Sequence, residues 1–221
     1  MDESLAGELA DLGAMLRLAP LLTDYLPTAT TDLRPAALTA VLDEVLLGAR
    51  VVTVQCGCGA SSVLLARMLA RRGFGHLLCL EHDERMAAFV GSQLRREGLG
   101  HVARVVYAPL APHPAAPGGQ PWYEPELVHD EVAGYVERFG LVDLLLVDGP
   151  GPADPNVPDG RHARYPALPV LRAVLSPGAA VFLDDVGRVG ELAVLDQWER
   201  EFGLRFRSLP GTGLAAAHAT P

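Results

Sequence analysis

Between residues 50 and 184, short apolar runs alternate with amphipathic stretches, and each run stops on a residue with a polar tip: Gln55, Glu81, Tyr107, Asp148 and Asp184. Residues 141–148 are nearly unbroken in their hydrophobicity, as a strand covered on both faces requires. Strands separated by helices pair in parallel through right-handed crossovers, so their C-terminal ends gather on one edge. The pattern predicts strands at residues 50–55, 76–81, 102–107, 141–148 and 179–184. A closing hairpin is expected from residues 204–209 and 213–219 around Pro210-Gly211-Thr212. The expected fold class is α/β: a Rossmann-like, doubly wound, seven-stranded mixed sheet with a C-terminal β-hairpin, preceded by N-terminal helices.

Helices are expected at residues 3–18, ended by Pro20, and at 35–47, with Asp32 as N-cap. Others follow the first strand to Arg71 and the second strand to Gly98, whose apolar stripe is Met86, Phe89, Val90 and Leu94. A further helix carries Val128, Val132 and Tyr135, a short one ends near Leu175, and the last spans about 189–202. This divides the chain into an N-terminal helical cap, residues 1–48, and a ligand-binding domain, residues 49–221. Two Pro-rich loops, 109–125 and 149–163, overhang the binding edge, where loops select substrates.

Of 221 residues, 18 are Lys+Arg and 27 Asp+Glu, giving a formal charge of −9, and every one of the basic residues is Arg. Such a field repels phosphate backbones and no basic cluster offsets it, so nucleic-acid partners are not expected. The apolar runs fall short of the roughly 18 residues of a membrane span. The start Met1-Asp2-Glu3 lacks a basic leader region. A soluble, cytoplasmic protein without membrane partners is expected. Cys56, Cys58 and Cys79 make neither a disulfide framework nor a paired zinc set and are read as reduced thiols.

The turn Gln55-Cys56-Gly57-Cys58-Gly59-Ala60-Ser61 sits between a strand and a helix. Its glycines permit a tight bend and close approach of a ligand, and the helix start offers free N–H groups. Glu81 closes the next strand 22 residues beyond Gly59, where an acid accepts hydrogen bonds from ribose hydroxyls. The pair points to an adenosine-containing ligand. A dinucleotide turn wants a third glycine where Ser62 stands, and an ATP-binding P-loop wants a Lys, so a sulfonium nucleoside fits better.

The ordered set Val54-Gln55-Cys56-Gly57-Cys58-Gly59-Ala60-Ser61, Leu80-Glu81-His82-Asp83, Leu145-Leu146-Val147-Asp148-Gly149-Pro150, Arg164-Tyr165-Pro166-Ala167-Leu168-Pro169 and Phe182-Leu183-Asp184-Asp185 resembles class I S-adenosylmethionine-dependent methyltransferases. The nearest likeness is to a small bacterial group of O-methyltransferases, over roughly residues 30–219. The resemblance implies that Gly57, Gly59 and Ser61 line the methionine and ribose of S-adenosylmethionine and that Glu81 takes the ribose hydroxyls. It implies that His82 and Asp83 flank the adenosine and that Asp148 lies beside the transferring methyl group. Gln55 stands where the group has an acid; its amide oxygen can still accept from the cofactor ammonium, without an ion pair. Ala108 stands where many relatives have an Asp.

The expected activity is methyl transfer from S-adenosylmethionine to an oxygen of a small-molecule acceptor. The alternatives are N- or C-methylation, a non-methylating use of the same cofactor, or a degenerate binding or scaffold protein. His162, in the 149–163 loop, is the best-placed candidate base, with Asp148 or a metal-bound alkoxide as alternatives, and His113 and His129 rank below them. Asp148, Asp184 and Asp185 form a hard-oxygen set suited to Mg²⁺, which in similar enzymes orients and acidifies an acceptor hydroxyl. The plainer reading leaves Asp148 to cofactor or acceptor and gives Asp184 or Asp185 a helix-capping role. Trp122-Tyr123 either covers an apolar acceptor or packs on the core. The apolar N-terminal helices are a candidate homodimer surface or a cap.

Overall fold

Inside the sheet, β1 (Val52–Cys56) is buried at every residue, its polar Thr53 and Gln55 included. In the computed structural model, which describes residues 3–29, 32–151 and 162–219, β1 lies between two parallel neighbours. On one side are β2 (His76–Glu81) and β3 (Ala103–Tyr107); on the other are β6 (Val142–Val147) and β7 (Leu175–Leu183). Antiparallel β9 (Leu214–His218) and β8 (Arg207–Leu209) complete the order β3-β2-β1-β6-β7-β9-β8. The expected seven-stranded mixed sheet and terminal hairpin are both present. The strand order reverses between β1 and β6, the switch point at which open α/β sheets hold ligands.

Helices cover both faces. Leu38, Val41, Leu42 and Val45 of α2 (Pro35–Leu47) and Val63, Leu65 and Leu69 of α3 (Ala60–Arg72) share one core with Leu144 and Leu146 of β6. That face also takes Val90 and Leu94 of α4 (Glu84–Arg96). On the opposite face, Tyr135 of α5 (Pro125–Phe139) and Trp198 of α7 (Val189–Phe202) pack against Leu145 and Val181. α1 (Glu3–Leu18) packs on α2. Among the described residues, no helix is long and apolar enough to cross a membrane.

Several elements differ from expectation for definable reasons. β1 starts at Val52, because the amides of Val51 and Val52 donate to the Asp143 carboxylate at 2.7 and 3.0 Å. β7 begins at Leu175, before Pro177-Gly178, because a register shift against β6 and the positive φ of Gly178 (77°) absorb the interruption. The 109–125 loop holds a two-stranded ribbon, β4 (Leu110–Pro112) and β5 (Pro121–Tyr123), hidden in the sequence by its prolines. The short helix α6 spans only Ala167–Leu171. Asp32 does not cap α2, whose N-cap is Arg34 with no side-chain bond. Most of the 149–163 loop lies outside the described residues.

Candidate active site

Backbone bonds carry the ladder one step past the strands: Ala108 N to Glu81 O at 2.7 Å, Gly57 N to Leu80 O at 2.8 Å, Asp148 N to Cys56 O at 2.9 Å and Asp184 N to Val147 O at 3.0 Å. This register places Gly57, Glu81, Asp148 and Asp184 along one edge, as parallel topology requires.

Gly57 has φ of 87°, and a Cβ there would stand 3.1 Å from the Gly149 amide nitrogen, so only glycine suits the turn. A Cβ on Gly59 would meet Asp32 Oδ1 at 2.4 Å. Asp32 thus lies over the start of α3, while its other oxygen accepts the Ala29 amide at 2.7 Å. Burial raises its carboxyl, opposed by the amides of Ala29 and Ala60. Gln55 is fully buried: its Nε2 donates to Ser61 Oγ at 3.0 Å and its Oε1 accepts from Ser62 Oγ at 3.1 Å. Ser62 Oγ in turn accepts the Gly59 amide at 3.3 Å. In this arrangement Gln55 and Ser61 brace the turn from beneath, and the Gln55 amide faces protein groups and not the edge.

Glu81 faces that turn. Its Oε2 accepts the Cys58 amide at 2.8 Å, its Oε1 accepts the Asp83 amide at 2.7 Å, and His82 Nδ1 lies 3.0 Å from Oε1. Burial pushes the Glu81 carboxyl up, but His82 and the two amides outweigh it and hold it below the usual range. The same contact raises the His82 imidazole against its own desolvation. Asp83 is an exposed N-cap of α4, accepting the Arg85 and Met86 amides at 2.8 and 2.9 Å. Trp122 and Tyr123 are fully buried, which favours their packing on the core, and Tyr123 lies against Gly149 and tilts toward His82 at 6.4 Å.

Asp148, Asp184 and Asp185 bring one oxygen each within 4.8 Å of one another. Burial pushes the Asp148 carboxyl well above the usual carboxylate range, with Arg164 opposing and Asp184 reinforcing; burial also raises Asp184. Neither Asp184 nor Asp185 caps α7, whose N-cap position is Arg188. The residue that sequence reasoning missed is Arg164, quoted within a motif but given no role. It is 3% exposed, and its Nη2 lies 2.8 Å from Asp185 Oδ2 and 3.7 Å from Asp148 Oδ1. Its Nη1 donates to the Asp184 carbonyl at 2.8 Å. The signal for it was electrostatic, since acids on neighbouring strand ends demand a buried cation. His162 is half-buried, with its ring 6.5 Å from that of Tyr165 and its carbonyl accepting the Tyr165 amide at 3.0 Å.

A cavity of about 660 Å³ opens beside the turn. Leu18, Leu26, Leu33 and Leu38 of the N-terminal segment line it opposite Ala60 and Ser61 of α3, and Asp32 sits in its wall. This chamber was not foreseen, because its walls come from segments far apart in the chain.

A polar ligand at the sheet edge is consistent with its orphaned atoms. Tyr123 OH, Asp148 Oδ1 and Arg164 Nε are buried without a hydrogen-bond partner among the described residues. Such atoms are costly unless a ligand or water completes them. The Glu81 carboxylate also keeps acceptor capacity beyond its three contacts.

The family model of the methyltransferase domain matches residues 54–186. No curated protein matches the chain. Among solved structures, the SAH-bound methyltransferase of Podospora anserina aligns with a TM-score of 0.60 at 14% identity, covering 94% of this chain and 88% of that one. The O-methyltransferase from Bacillus cereus in complex with SAH aligns at 0.58 and 16%, covering 95% and 90%. The O-methyltransferase from Streptomyces achromogenes involved in tomaymycin synthesis, solved with SAM, aligns at 0.55 and 17%, covering 94% and 90%. At these identities the likenesses establish a shared fold.

Proposed function

This chain belongs to the methyltransferase domain family, and we propose that it methylates an oxygen of a small, largely apolar acceptor using S-adenosylmethionine. The observation that carries the reading is the 2.8 Å bond between Glu81 and the Cys58 amide, which sets the acid and the glycine turn on one crevice. Solved structures of this fold hold SAM or SAH.

When bound, S-adenosylmethionine supplies a methyl group on a cationic sulfur. Glu81 takes the ribose hydroxyls on its remaining lone pairs, and His82 flanks the adenosine. Gly57 and Gly59 keep the turn free of side chains, while Gln55 and Ser61 hold it in shape. The 660 Å³ chamber is of the size that encloses a small organic molecule, and its leucines select an apolar body. It shares Ala60 and Ser61 with the cofactor turn, which supports an acceptor held there beside the donor. Holding the two partners in line supplies up to about 7–11 kcal/mol of the barrier reduction. The Asp148 carboxylate, made more basic by burial, is the first candidate to receive the acceptor proton as the acceptor oxygen bonds to carbon. His162 is the second candidate for that proton.

Incubation with methyl-labelled S-adenosylmethionine and a panel of hydroxylated aromatic and aliphatic compounds tests this reading. Label transferred to oxygen, with equal formation of SAH, is expected for at least one apolar acceptor. Transfer only to nitrogen or carbon acceptors contradicts it.

A further inference from the structure

We propose that the cation at the carboxylate cluster is part of the chain: the Arg164 guanidinium holds the place of a divalent ion among Asp148, Asp184 and Asp185, and the site works without a metal. The inference rests on the methyltransferase reading for its catalytic meaning, but not for its electrostatics.

Three carboxylates from the ends of β6 and β7, within 4.8 Å of one another, are by themselves a hard-oxygen set that Mg²⁺ or Mn²⁺ would accept. Arg164 changes that. Its guanidinium is buried and directed into the cluster, with Nη2 at 2.8 Å from Asp185 and 3.7 Å from Asp148. Nη1 is fixed on the Asp184 carbonyl at 2.8 Å, and Nε lies 4.0 Å from Glu191. Asp185 Oδ2 also accepts Arg188 at 2.8 Å, so two arginines already share that oxygen.

The segment is anchored below, where the Tyr165 carbonyl accepts Trp198 Nε1 at 2.9 Å and the Tyr165 hydroxyl meets Glu201. Arg164 therefore cannot swing aside cheaply. An ion bound to Asp185 and Asp148 would face a buried, permanently charged guanidinium at close range, where like charges repel. The observed donor set thus does not suit a metal. Arg164 acts as a positioning residue that bonds Asp185 and the Asp184 carbonyl and offsets the charge of Asp148, and its planar fork lets it serve several oxygens at once.

The test uses Mn²⁺ alone as probe, read by calorimetry and by the loss of the free-ion paramagnetic resonance signal. Wild-type protein is expected to bind no stoichiometric Mn²⁺ at millimolar concentration, and its thermal unfolding should not respond to EDTA. Arg164→Gln, with its fold checked by circular dichroism, should gain a Mn²⁺ site at least tenfold tighter than wild type, lost again on adding Asp184→Asn. Arg164→Lys keeps a cation and should gain none. One Mn²⁺ per wild-type chain, abolished by Asp184→Asn, overturns the proposal. A folded Arg164→Gln without new Mn²⁺ binding, or a gain in Arg164→Lys equal to that in Arg164→Gln, overturns it too. If Arg164→Gln does not fold, the wild-type and Arg164→Lys measurements decide. None of these readouts involves S-adenosylmethionine, so a failure of the methyltransferase reading would appear separately, as absent SAH binding.

Discussion

Glu81 Oε2 accepts the Cys58 amide at 2.8 Å, which ties the acid ending β2 to the turn that follows β1. The rest of the proposed cofactor site is arranged around that bond.

Gly57→Ala tests the turn. A Cβ at φ of 87° is strained and would press on the Gly149 backbone. The substitution should cost more than about 1 kcal/mol in urea unfolding and weaken SAH binding. Unchanged stability would mean that the turn is not held as described.

Gln55→Leu separates a bracing role from a ligand role. It leaves Ser61 and Ser62 without the buried amide they share, and should destabilise the fold by about 1–3 kcal/mol. Thermal and urea unfolding report the loss. A variant as stable as wild type but defective in SAH binding would instead return Gln55 to the cofactor.

The His82–Glu81 pair makes stability depend on pH. Glu81 is depressed, so its contribution is present above the ordinary value of 4.5 and fades as pH falls through its lowered value. His82 is raised, so its contribution is full below 6.5 and is lost as pH rises through its raised value. The stability difference between wild type and His82→Ala should therefore be largest near pH 5–6 and shrink toward pH 8. A difference that stays flat across that range would show that the contact carries no charge.

Leu22→Trp, in the chamber wall, should raise the acceptor KM at least several-fold while leaving SAH affinity within about twofold. An equal loss of SAH affinity would show that the chamber belongs to the cofactor.

Much of the fold was legible because it follows from periodicity. The runs ending at Glu81, Asp148 and Asp184 read as strands, and parallel pairing forces their ends together. The glycines at 57 and 59 were legible as a turn for the same local reason. What was hidden depends on contacts across the chain. Arg164 meets Asp148 and Asp185 only through tertiary contact, far from both in sequence. Asp32 stands at the right spacing to cap α2, yet tertiary packing sends it to the start of α3. The family resemblance gives Gln55 to the cofactor ammonium, and in the structure its amide is bonded to Ser61 and Ser62. The nearby serines, six and seven residues on, were a signal that its amide had local partners.

The most direct measurement is calorimetric titration of SAH into wild type, Glu81→Gln and Glu81→Ala. The account predicts saturable one-to-one binding by wild type, weakened in both variants by about 1.5–3 kcal/mol, the scale of hydrogen bonds to a charged group. Absence of binding by folded wild type at millimolar SAH, or equal affinity in all three proteins, would contradict it.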